Sequence, residues 1–151
     1  MRRHLQNGFE FIPMLVLILL ALTLGASGRA QSPNPEPIYV IANKGFPADA
    51  LTASQAKRIF LKQQRSVNGT PVMPINARRT SLLRKQFDER LLQMTVVDEL
   101  SYWEDQKMQH GMQVPTEIRD TVRAVFSAPI GISYCFQSEF KASAAKILLK
   151  I

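Results

Sequence analysis

One cysteine, one tryptophan and two histidines in 151 residues leave little of the chemistry from which most catalytic and metal sites are built. A lone Cys135 excludes an internal disulfide, and its apolar neighbours predict a buried, inert thiol. The sequence contains no HExxH zinc motif, nucleophile elbow, Gly-rich phosphate loop or paired-cysteine motif. His110 stands before Gly111, where the expected role is a helix-ending cap. Asp88-Glu89, Asp98-Glu99 and Glu104-Asp105 are adjacent carboxylate pairs on expected helices, where neighbours point about 100° apart and normally face water. This inventory argues against an enzyme and supplies neither a metal site nor a cofactor site.

The N-terminus has the pattern of an export signal. Arg2 and Arg3 supply a positive start, Phe11 to Leu24 form an apolar run, and small residues lead to Gly28-Arg29-Ala30. The expectation is a signal peptide over residues 1–30, cleaved after Ala30, and a periplasmic product. The alternative is an uncleaved anchor, the one route to a membrane, but the run falls short of the roughly 20 residues that span a bilayer comfortably. Cleavage leaves 16 basic against 11 acidic residues, a net +5. A nucleic-acid interface is not expected, because Lys57, Arg58, Lys62, Arg84, Lys85, Arg119 and Arg123 are scattered among acids.

Residues 31–37 hold three prolines and predict an extended leader. Residues 38–151 then carry one α/β domain. Ile38 to Ala42 is apolar throughout, as in a strand buried on both faces. Thr52 with Gln55 forms a capping box for a helix over residues 53–62. Asn68-Gly69 marks a turn before a second strand over residues 71–76.

Thr80 or Ser81 caps the next helix, which buries Leu83, Phe87 and Leu91 and turns Arg84, Lys85, Asp88 and Glu89 to water. Thr95 opens a third helix with Val96, Leu100 and Trp103 as its apolar stripe, ended by Gly111. Pro115-Thr116 opens a fourth, with Ile118, Val122, Val125 and Phe126 buried. Residues 130–136 form a third strand, and Ala144 to Ile151 favours a terminal one. The expected core is Ile41, Phe60, Ile75, Phe87, Trp103, Val122, Phe126 and Ile132. Strands alternating with helices predict an α/β fold with a mainly parallel sheet flanked by helices.

In this order, Tyr39-Val40-Ile41-Ala42-Asn43, Leu51-Thr52 leading to Ala56-Lys57-Arg58-Ile59-Phe60-Leu61, Pro74-Ile75-Asn76, Ser81, Phe87, Tyr102-Trp103 and Gly131-Ile132-Ser133-Tyr134 carry a family resemblance. The chain resembles the second lobe of the phosphate-binding proteins that serve ABC importers, in the type 2 periplasmic-binding fold. The resemblance implies a single lobe, phosphate or sulfate as ligand, and a place in phosphate transport. It also exposes departures. The family's Ser-Gly-Thr here reads Ser81-Leu82-Leu83, and its preceding Arg aligns with Ala77. The family's opposite lobe has no counterpart in a chain of this length.

The candidate anion site is therefore Arg78, Arg79, Thr80 and Ser81: two guanidinium groups beside a helix start. A helix cap flanked by two solvated arginines accounts for the same residues. Two functions follow. One is a solute-binding-like protein that holds an oxyanion weakly; the other is an interaction module that has lost its ligand and contacts another envelope protein or a second lobe supplied in trans. Mass spectrometry of the protein from the envelope fraction is expected to find a mature N-terminus at or near Gln31; a full-length, membrane-retained chain would overturn the export assignment.

Overall fold

The structure, a computed structural model, describes residues 34–151. The assigned signal peptide and the first part of the leader lie outside the described residues. Residues 34–37 are exposed and carry no regular structure, as their prolines require.

A five-stranded sheet is built in the order β5-β4-β6-β1-β7. Its strands are β1 (Ile38–Ala42), β4 (Met73–Ala77), β5 (Thr116–Ile118), β6 (Gly131–Phe136) and β7 (Lys146–Lys150). β4 pairs in parallel with β5 and β6, whereas β1 is antiparallel to β6 and β7. Four strands thus share one direction and β1 alone opposes them. A separate hairpin, β2 (Ser66–Val67) and β3 (Thr70–Pro71), is closed by Asn68 and Gly69, both at positive φ as a tight two-residue turn demands.

Helices α1 (Ala53–Phe60), α2 (Leu82–Phe87) and α3 (Val96–His110) precede β5, and α4 (Thr121–Ser127) follows it. The expected capping box at Thr52 and Gln55 is present, and Gly111 ends α3 in the left-handed conformation. α2 runs on into a π-helical turn over Asp88–Leu92.

The pleat of β1 divides the core. Ile38, Val40 and Ala42 pack with Phe60 of α1, Phe87 of α2 and Tyr134 of β6 on one face. Tyr39 and Ile41 pack with Val122 and Val125 of α4 and Cys135 on the other. Phe87 stacks on Tyr134 with ring centroids 3.6 Å apart, and Phe60 meets both edge-on. This aromatic trio joins α1 and α2 to β6.

Three expectations are corrected. Thr116 and Ile118 belong to an exposed edge strand, not to a helix; Asp120 caps the helix, and α4 begins at Thr121. Asp120 accepts from the Arg123 N–H, a bond that Pro115-Thr116 does not supply. Phe126, counted in the core, is 61% exposed. α3 buries Glu99 and Trp103 and leaves Val96 and Leu100 at the surface, so its inward face runs one position off the expected stripe. Every other expected core residue is buried.

Replacing Phe87 by Ala removes a stacked and an edge-on partner together and is expected to cost about 3–5 kcal/mol in urea unfolding. Phe126→Ala is expected to stay within about 0.5 kcal/mol, as for a surface substitution.

Candidate functional site

The chain leaves the end of β4 towards α2 on one face of the sheet, and leaves the end of β5 towards α4 on the other. Where neighbouring parallel strands send their helices to opposite faces, a crevice opens at the strands' carboxyl ends. Here it is a cleft of about 1070 Å³. Ala77, Arg78, Ser81 and Leu83 form one wall, residues 119–123 with Phe126 a second, and Glu139, Lys141, Ser143 and Ala144 a third.

The walls are fixed by buried polar bonds. The Tyr134 hydroxyl accepts from the Ala77 N–H at 3.1 Å, immediately before Arg78. Thr121 Oγ1 donates to the Tyr134 carbonyl at 2.7 Å and fastens the start of α4 to β6. At the other end of α4, Asn43 Nδ2 donates to the carbonyls of Val125 and Phe126. Burial pushes the Tyr134 phenol well above its ordinary range and the Cys135 thiol up to about 12, so both stay neutral.

Of the four candidate residues, the structure brings Arg78 and Ser81 to the cleft and leaves Arg79 and Thr80 outside its lining. Ser81 Oγ donates to the Arg78 carbonyl at 2.7 Å and accepts from the Arg84 N–H at 3.1 Å, so its proton is already engaged in the cap. Arg79 turns to acids: its Nε lies 3.5 Å from Glu99 and 3.8 Å from Glu117. Arg119, Arg123 and Lys141 stand at the cleft instead. Among the described residues, Arg78, Arg119, Arg123 and Lys141 have no carboxylate within ion-pair distance. The cleft's own acids are Asp120 and Glu139, each accepting from a backbone N–H. Four cations therefore face two carboxylates. The Arg119-to-Arg123 spacing around the Asp120 cap was the available sequence signal.

A second polar cluster lies behind the Arg78 wall. Arg84, assigned to the solvated face of α2, is 1% exposed. Its Nε donates to both oxygens of Asp88 at 2.7 and 2.8 Å, and its Nη2 donates to Glu99. Asp88 and Glu99 are buried as well, correcting the solvent-facing assignment of their pairs. Burial pushes the Asp88 carboxyl up to about 6, against the opposing pull of Arg84. No group of His, Cys, Asp and Glu among the described residues is arranged to hold a metal, and no helix among them is long and apolar enough to cross a membrane.

No protein-family model matches the chain, and no curated protein matches it. Solved structures do. An ABC-type phosphate transport receptor from Vibrio cholerae aligns with a TM-score of 0.58 at 13% identity, over 75% of this chain and 45% of its own. A putative phosphate ABC transporter substrate-binding protein with bound phosphate from Clostridium perfringens gives 0.59 at 16%, over 75% and 44%. PstS from Borrelia burgdorferi gives 0.58 at 15%, over 75% and 46%. The fold is that of one lobe of a periplasmic binding protein. The chain spans less than half the length of these proteins.

Removing a partner from the buried cluster leaves a charge uncompensated, so Arg84→Ala is expected to cost about 3–5 kcal/mol in urea unfolding. The pH dependence follows from Asp88. Its folded carboxyl binds a proton near pH 6 that the unfolded chain, near 3.8, does not bind until lower pH. Asp88 therefore adds stability as pH falls from about 6 to about 4, and that contribution is lost as pH rises through 6. The unfolding free energy of the wild type relative to Asp88→Asn is expected to rise as pH is lowered across this window.

Proposed function

We propose that this chain is a solute-binding-like protein of the periplasm, built on one lobe, that takes phosphate or a related oxyanion in the cleft as part of phosphate transport. One observation carries the reading: Arg78, Arg119, Arg123 and Lys141 line the cleft without carboxylate partners of their own among the described residues. Guanidinium groups suit oxyanions because their planar fork of donors matches the oxygens. The likeness of fold to a protein solved with bound phosphate supports the same ligand class. So does the position of the cleft, beyond the carboxyl ends of parallel strands. Binding rather than catalysis is the proposed activity: Ser81, Asp120, Thr121 and Glu139 of the cleft lining each make backbone hydrogen bonds that hold caps and turns. The periplasmic location rests on the N-terminal signal pattern.

This proposal moves the site from the four residues expected in sequence to Arg78 with Arg119, Arg123 and Lys141. Ser81 serves it by holding the Arg78 backbone rather than by donating to the anion. The cleft is open to solvent, so each cation contributes on the order of 1 kcal/mol, and a dissociation constant near ~1 mM is expected. Calorimetric titration with phosphate and with sulfate checks this. Binding should weaken as salt rises from about 0.01 to about 0.15 M, where the screening length falls to about 8 Å. The pair Arg78→Ala with Arg123→Ala should abolish it with the fold intact. A flat response to several millimolar of either anion removes the proposal.

A further inference from the structure

The cleft is larger and more apolar than a bare tetrahedral oxyanion requires. A volume of about 1070 Å³ is of the size that holds an organic small molecule. Besides the cations, the lining includes Leu83, Val122, Phe126 and two alanines. Phe126 is the one aromatic among the exposed large hydrophobic side chains of the described residues. An exposed phenyl ring contributes nothing to the core, yet the Asn43 amide bonds to the Val125 and Phe126 carbonyls and fixes the backbone that carries it. Arg123 and Phe126 are three residues apart in α4, and Val122 and Phe126 four apart, so one helix face presents a cation, a branched aliphatic and a ring side by side. Arg78 reaches the same cleft from the opposite wall.

We infer that the occupant of this cleft is a phosphate monoester bearing an apolar or aromatic group, its charged head on Arg123 and Arg78 and its apolar group against Phe126 and Val122. The inference rests on the proposed oxyanion function and narrows its ligand class. The two halves of the ligand answer two halves of the wall. The cations choose the head, and the ring raises affinity by removing apolar surface from water.

The test uses the protein as purified from the producing cells, titrated in parallel with inorganic phosphate, phenyl phosphate and neutral benzyl alcohol. Phenyl phosphate is expected to bind at least about tenfold more tightly than inorganic phosphate, and benzyl alcohol not measurably. Phe126→Ala is expected to bring phenyl phosphate to within about threefold of inorganic phosphate measured on the same variant. Phe126→Trp should retain the preference. Because Phe126 lies outside the core, an unchanged unfolding midpoint accompanies both variants. Equal binding of the two phosphates, or a preference that survives Phe126→Ala, overturns the inference and leaves the oxyanion function standing. Binding of benzyl alcohol as tight as phenyl phosphate overturns it as well. No binding of either phosphate overturns the inference and the oxyanion function together.

Discussion

A guanidinium taken out of water must be met by carboxylates, and that requirement organises the half of the molecule next to the cleft. Arg84 is a buried residue of α2, with Asp88 four residues on and Glu99 on α3, so α3 lies where its acid can reach α2. Glu99 in turn draws Arg79, which also meets Glu117 on β5. One buried charge thereby ties two helices, an edge strand and the loop bearing Arg78. Such clusters are poor sources of net stability compared with an apolar filling, and their stronger effect is on which arrangement is adopted. The π-helical turn is compatible with the same demand, since Asp88 at its start reaches Arg84 Nε while Leu91 and Leu92 are still buried.

Much of the frame was legible in the residues, because it depends on local rules. The all-apolar β1, the capping box at Thr52, the helix start at Thr95, the Gly111 stop and the terminal strand are read from a few neighbouring positions. The fold class followed from their order. Errors arose where periodicity was asked to tell inside from outside. Phe126 keeps helical spacing with Val122, yet the end of α4 buries Val125 and leaves Phe126 exposed. Leu100 lost the inward position of α3 to Glu99, because a buried partner for Arg84 outweighed one aliphatic side chain. Hydropathy has no term for that exchange.

The site was legible only in part for the same reason. Arg78 and Arg79 are adjacent and chemically alike, and their separation depends on where Glu99 and Glu117 stand. Those two acids come from α3 and β5, distant in the chain and brought alongside by the sheet. Arg119 and Arg123 looked like ordinary surface charges, and Lys141 was not singled out, because the gap that collects them exists only after β5 has been laid beside β4. Ser81 was correctly placed at the helix start, and its hydroxyl serves the cap.

The sheet's one opposed strand sets the order in which the domain can be completed. β1 is made first among the strands, yet its neighbours are β6 and β7, and Ile38 exchanges both backbone bonds with Ile151. Until β6 is made this wholly apolar segment has no ladder on either side, and until β7 is made it has a ladder on one side alone. Closing it means bringing together the two ends of the domain, a costly loop closure that slows folding of topologies rich in distant contacts. The hairpin and all four helices lie between β1 and its partners in the chain. The sheet is therefore completed at the strand with which it began: β1, first in the chain, is enclosed on both sides once the final strand is laid beside it.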